Sequence, residues 1–157
     1  MYCEPLNKPK KKPNYRYKPV NTKVMAIVKE RSGGICEYCH SNTATAPHHI
    51  KLKSQGGLDI PINILHVCND CHNHSNTEFL QSAKEILRDR VDIIFPGWDK
   101  GRLQCWEYTP GVVALNVDME IREIERQIQK GFLKKHKYLN IDTCNVEEIR
   151  RWLGVLV

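Results

Sequence analysis

Two Cys-x-x-Cys pairs, Cys36/Cys39 and Cys68/Cys71, constrain this chain more than any other feature. Four thiolates in a two-plus-two arrangement are the ligand set of a closed tetrahedral zinc site. The pairs stand 28 residues apart, farther than a compact finger needs, so one metal would staple together two segments that enclose something. Between and just after the pairs lie His48-His49, Asn63, His72 and His74, which a site of four cysteines leaves over for other work. The competing reading of the cysteines is a redox pair. It would call for a C-x-x-C that opens a helix after a βαβ pattern, and that pattern is absent.

With 157 residues, 41% of them hydrophobic, the chain fits one domain or a small domain with an appendage. No run of 18 apolar residues occurs, so no membrane helix is expected, and the charged, proline-rich start carries no apolar stretch of a secretory signal. Seven cysteines, four of them in metal-type pairs, suit a reducing cytoplasm, with Cys3, Cys105 and Cys144 expected as free thiols. The net charge of +6 resides in residues 1–23, which hold seven Lys/Arg and one acid; the remainder holds 17 of each sign. Residues 1–20, with four prolines and five lysines, read as a basic extended arm. Lys10, Lys11, Lys12 and Arg16 are therefore candidates for nucleic-acid backbone contact by counterion release, the other reading being a solvated tail.

Downstream, Asn21 could cap a helix to Arg31 whose apolar stripe is Val24, Ile27 and Val28, with Gly33-Gly34 ending it. His49, Ile50 and Leu52 lead as a short strand into the flexible Ser54-Gln55-Gly56-Gly57, and Ile62 to Val67 reads as a returning strand. Two strands of this length are not stable alone, so the zinc would supply folding energy. Phe79, Leu80, Ala83, Ile86 and Leu87 recur at helical spacing behind a Ser75 or Asn76 cap, and Pro96-Gly97 stops that helix. Leu103–Tyr108 and Val112–Val117 around Thr109-Pro110-Gly111 suggest a hairpin. Residues 118–136 give a helix with Ile121, Ile124, Ile128 and Phe132 or Leu133 on one face. Asn145 with Glu148 suggests a capping box for a last helix bearing Ile149, Trp152 and Leu153. The organisation expected is an arm (1–20), a zinc-bearing domain (21–92) and a mostly helical C-terminal extension (93–157) of a hairpin plus two helices, α+β in class.

Adjacent residues on a strand face opposite ways, so His48 and His49 suit a division of labour in which one imidazole serves a metal and the other a water. His72 follows a zinc cysteine directly. If that turn is helical, Asn76 shares its face one turn later. A metal held by His48 and His72 would keep open positions, as a catalytic site requires.

The order His-His-Ile, Ser-x-Gly-Gly, Pro-x-Asn-Ile/Leu and Cys-x-x-Cys-His resembles the HNH nucleases of the ββα-metal superfamily. The lead-in from Glu30 to Cys39 is similar to that of zinc-containing members, and the likeness spans residues 22–76. The resemblance implies a ββα-metal module in which His49 is the general base that deprotonates water and Asn63 pins the loop and orients that base. It places His48 and His72 as ligands of a catalytic divalent metal such as Mg²⁺ or Mn²⁺, with Asn76 as a further candidate ligand. His74 has no role in the pattern. Leu52 stands where many relatives have proline, and His74-Ser75 where some carry a basic residue. The expected activity is DNA phosphodiester hydrolysis giving 5′-phosphate and 3′-hydroxyl ends, in a cytoplasmic, bacterial or phage-encoded enzyme. Lys51, Lys53 and the arm would hold DNA, and the last helices could mediate a homodimer. The alternative is a zinc-stabilised nucleic-acid-binding module that does not cut.

Overall fold

A computed structural model describes residues 18–95, the backbone of 98–99 and 102–103, and residues 107–155. Lys10, Lys11, Lys12, Arg16, Cys3, Cys105 and most of the expected arm lie outside the described residues. The class is α+β, with six helices and small antiparallel sheets among the described residues.

Helix α1 (Thr22–Ser32) begins where Asn21 accepts a hydrogen bond from the Lys23 amide, and ends where Gly33 takes a left-handed conformation at φ 58°. Both ends follow from the side chains: Asn supplies an oxygen to an otherwise unpaired amide, and Gly alone enters that φ region without strain. Val24 and Val28 are buried against Val20 and Ile64, whereas Ile27 of the expected stripe is 39% exposed.

Strand β1 (Ala46–His49) pairs antiparallel with β2 (Ile64–Val67), His48 opposite Leu65 and His49 opposite Ile64. The first strand stops at His49, and residues 53–55 and 61–63 are short 3-10 turns rather than strand. All four β2 residues are buried, because the strand lies between two helices. Ile64 meets α1, and Leu65 and Val67 meet α3. That placement turns the usual alternation of a strand into an unbroken apolar-plus-histidine run.

After the short helix α2 (Asn69–Asn73), helix α3 (Thr77–Ile94) starts with the Asn76 side chain accepting from the Phe79 amide. Its buried residues Phe79, Ala83, Leu87 and Val91 are spaced by four, the interval that keeps side chains on one face. Phe79 and Ala83 belong to the core around the cysteines, while Leu87, Val91 and Phe95 belong to a second, larger core. One helix thus passes through both.

The second core contains Ile60 and Ile62 from the hairpin connection together with Val113, Val117, Ile124, Leu133, Ile149, Trp152 and Leu153. Three expectations are corrected in this region. Residues 112–117 are not a strand, because Thr109-Pro110 is a helix start: the Thr109 hydroxyl accepts from the Val112 amide and Pro110 occupies the first turn of α4 (Pro110–Asn116), where its missing N–H costs nothing. The helix expected over 118–136 is α5 (Ile121–Gln129), ended by Gly131 at φ 75°. The residues beyond it form strands β6 (His136–Tyr138) and β7 (Ile141–Asn145), joined by Leu139-Asn140 at positive φ. Two short strands, β3 (Trp98–Asp99) and β4 (Arg102–Leu103), pair with one another, and β5 (Glu107–Tyr108) adds to the other edge of β7. The last helix, α6 (Val146–Leu153), is capped by Asn145, which accepts from the Glu148 amide, while the Glu148 side chain accepts from Arg151; the helix buries Ile149, Trp152 and Leu153. Cys144 is a buried free thiol, and burial pushes it up to about 11. No helix among the described residues is long and apolar enough to cross a membrane.

Candidate metal centre and histidine site

The cysteines are brought to one point from both sides of the hairpin. Cys36 and Cys39 sit in the turn after α1, and Cys68 and Cys71 in the turn after β2 and at the start of α2. Their four sulfurs lie within 4.8 Å of one another, Cys39 and Cys68 at 4.0 Å. A tetrahedron with zinc–sulfur bonds of about 2.3 Å has edges of about 3.8 Å, so the four thiols fit one zinc ion. The turn geometry favours thiolate at Cys39, where hydrogen bonds from the backbone of Ser41 and then Asn42 pull it down to about 6, whereas burial pushes the Cys71 thiol up. The Asn42 side chain also reaches Cys68 Sγ at 3.8 Å. Lone pairs on a bound thiolate commonly accept such backbone and amide donors.

A charged clamp, not foreseen from the sequence, ties the first knuckle to the hairpin. Glu37 takes two hydrogen bonds from Arg31 (2.7 and 2.8 Å), one from Arg90 (2.9 Å) and one from the His66 amide (2.7 Å). Arg31 and Arg90 also donate to the carbonyls of Pro61, Ile62 and Ile64. Burial works to raise the Glu37 carboxyl, but the Arg31 bonds, the His66 amide and the Arg90 charge together leave it lowered. A lowered carboxylate stabilises the fold fully above its unfolded value of about 4.3, and that contribution is lost as pH falls through the folded value. Glu37→Gln is therefore expected to cost about 2–3 kcal/mol near pH 7 in urea denaturation. The gap to wild type should close on acidification, and an unchanged midpoint at pH 7 would refute the clamp.

His48 projects from β1 onto Phe79 (ring centroids 4.9 Å) and toward His72 on α2 (5.8 Å). Its Nε2 is buried and has no hydrogen-bond partner. Burial first, then the neighbouring His72 and His49, keep this imidazole lowered. A neutral ring with an unused, buried nitrogen is the form of histidine that binds a metal. His72 itself is exposed.

His49, next on the strand, turns to different partners. Its Nε2 is 2.6 Å from Asp59 Oδ1, and the other oxygen of Asp59 is 3.0 Å from Lys53 Nζ. Asp59 was not among the residues singled out from the sequence. The only signal for it was an acid between a Gly-Gly loop and the Pro-x-Asn motif.

Asn63 is buried, 3% exposed. Its Oδ1 accepts from the Lys51 amide (2.8 Å), and its Nδ2 donates to the Lys51 and Leu58 carbonyls (3.1 and 3.0 Å). With the Ile50 amide on the Asn63 carbonyl at 2.9 Å, one residue pins both ends of the loop after His49. Gly57 lets that loop close: a Cβ there would lie 1.8 Å from the Lys51 carbonyl oxygen.

The other candidates are engaged elsewhere. Asn76 gives its side-chain oxygen to the α3 cap. It lines a cleft of about 240 Å³ with Tyr38, Asp70, Cys71, His74 and Phe79. His74 Nδ1 lies 3.0 Å from the Asp70 carbonyl. The Lys51 ammonium donates to the Trp152 carbonyl at 2.7 Å, and Lys53 pairs with Asp59. The structure therefore gathers His48 with His72, and His49 with Asp59, while Asn63 organises the backbone between them. Comparison with family models, with curated proteins and with solved structures found no match to this chain.

Proposed function

We propose that the chain is a metal-dependent DNA endonuclease of the HNH type, its ββα-metal unit formed by β1, β2 and the helices that follow, and stapled by a structural zinc on Cys36, Cys39, Cys68 and Cys71. The observation that carries the reading is the buried, unpartnered Nε2 of His48 beside His72. Leaving a polar nitrogen buried and unpaired costs free energy, and a ligand removes that cost. Neither the zinc site nor the core explains it.

His48 and His72 would hold the catalytic divalent ion, with its remaining positions left to water and substrate. Bound there, such an ion neutralises charge on the phosphoryl oxygens and on the departing 3′ oxygen. His49 takes a proton from a water molecule, whose oxygen then forms a bond to phosphorus while the bond to the 3′ oxygen breaks. The product ends are a 5′-phosphate and, after the 3′ oxygen takes a proton from solvent, a 3′-hydroxyl. An imidazole is suited to this step because its ordinary pKa lies near neutrality. Asn63 contributes by fixing the backbone on which His49 sits.

Incubation of supercoiled plasmid with the zinc-loaded protein tests the reading. Nicked or linear product is expected with added Mg²⁺ or Mn²⁺ and none without them. Plasmid left intact under every divalent ion, with binding undiminished, would replace the nuclease by a zinc-stabilised binding module.

A further inference from the structure

We propose that Lys53 and Asp59 act together as positioning residues for His49, fixing Nε2 as its protonated nitrogen and leaving Nδ1 as the nitrogen that meets water. The consequence for rate rests on the nuclease reading; the geometry does not.

An ionised carboxylate can only accept hydrogen bonds, so the 2.6 Å contact between Asp59 Oδ1 and His49 Nε2 requires the proton to reside on Nε2. A neutral imidazole has one donor and one acceptor, and the acceptor is then Nδ1. A ring held only by its own torsions exchanges tautomers and rotates about its last bond; the carboxylate removes both freedoms.

The carboxylate is itself held. Lys53 takes its second oxygen at 3.0 Å, which turns Oδ1 toward the imidazole. Both acid and lysine stand on backbone that is fixed independently. The Leu58 carbonyl, one residue before Asp59, accepts from Asn63, and the Gly57 amide donates to the Leu52 carbonyl, one residue before Lys53. The side chain of His49 is 16% exposed and that of Asp59 31%, so the pair is shielded enough to persist while the ring retains access to water. Lys53 thereby acquires a role other than contact with phosphate.

Imidazole ¹⁵N spectra of the full-length, zinc-loaded protein decide the geometry without any turnover. At pH about 8, above the ordinary imidazole range, His49 is expected to show a protonated Nε2 and a bare Nδ1. Asp59→Ala should give mixed tautomers, and Asp59→Glu should restore the single one. In plasmid cleavage, Asp59→Ala is expected to lower kcat about 10–100-fold with KM within about twofold, the size of loss seen when the outer partner of a metal-bound histidine is removed; Asp59→Glu should regain most of the rate. Lys53→Met should shift both readouts in the same direction by less, and it carries the test if the alanine variant fails to fold. A wild-type His49 protonated at Nδ1, or an alanine variant with either the wild-type tautomer or the wild-type kcat, overturns the proposal. A wild type that cleaves nothing, yet shows the expected tautomer, overturns the nuclease reading and leaves the positioning geometry standing.

Discussion

Replacing His49 with alanine is expected to lower the cleavage rate by about 10²–10⁴-fold, the range a positioned general base contributes, while leaving DNA affinity close to wild type. The distinction follows from where the residue sits. The His49 side chain hydrogen-bonds to Asp59, and its backbone is fixed by β1 pairing and by the Asn63 clamp, so truncation should leave the loop in place. Single-turnover nicking of plasmid, beside anisotropy of a labelled duplex, separates rate from binding. A variant that nicks at the wild-type rate would remove His49 from the chemistry. His48→Ala offers a contrast: on the proposed reading it removes a ligand and not the base, so its deficit should shrink as divalent ion is raised.

The second large effect concerns the proposed structural zinc. Residues 36–71 hold a hairpin of two four-residue strands, too little to stand alone, and structural zinc supplies on the order of 10 kcal/mol to such sites. Stripping the metal, or Cys68→Ser, is expected to collapse the amide spectrum of residues 20–83. Residues around Val113, Ile124, Ile149 and Trp152 should lose less, since their core does not contain the zinc-site cysteines. Helical ellipticity should fall only in part, because α3 is rooted in both cores. Metal analysis should find one zinc per folded chain. A native spectrum from a chain proven free of metal would refute the structural role of Cys36, Cys39, Cys68 and Cys71.

Local rules carried the sequence reading where a single residue decides the outcome. Asn21 and Asn145 cap the helices assigned to them, Asn76 proves to be the cap where Ser75 was the other candidate, Gly33 ends α1, and the cysteine spacing brings four sulfurs together. Reading failed where one motif serves two structures. Thr109-Pro110-Gly111 suits a β-turn and a helix N-terminus equally, and only the burial of Val113 against the second core selects the helix. Residues 137–144 went unassigned, and β6 is exposed throughout, so it lacks an alternating apolar face. At the site, His48, His49, Asn63 and His72 stood out because of their order and spacing around the two cysteine pairs. Asp59, Glu37 and Arg90 did not. Charged residues look like solvated surface until the fold shows which ones meet, and Arg90 reaches Glu37 across 53 positions.

The hydrogen bond from Lys51 to the Trp152 carbonyl spans 101 positions, and the lysine side chain lies against Gly154. Closing so long a loop is entropically costly and follows the local contacts that make it worthwhile. The two residues after His49 thus gain their outermost support only when the far end of the chain has docked. The loop after His49 is therefore expected to take its final form late in folding, after the hairpin beside it.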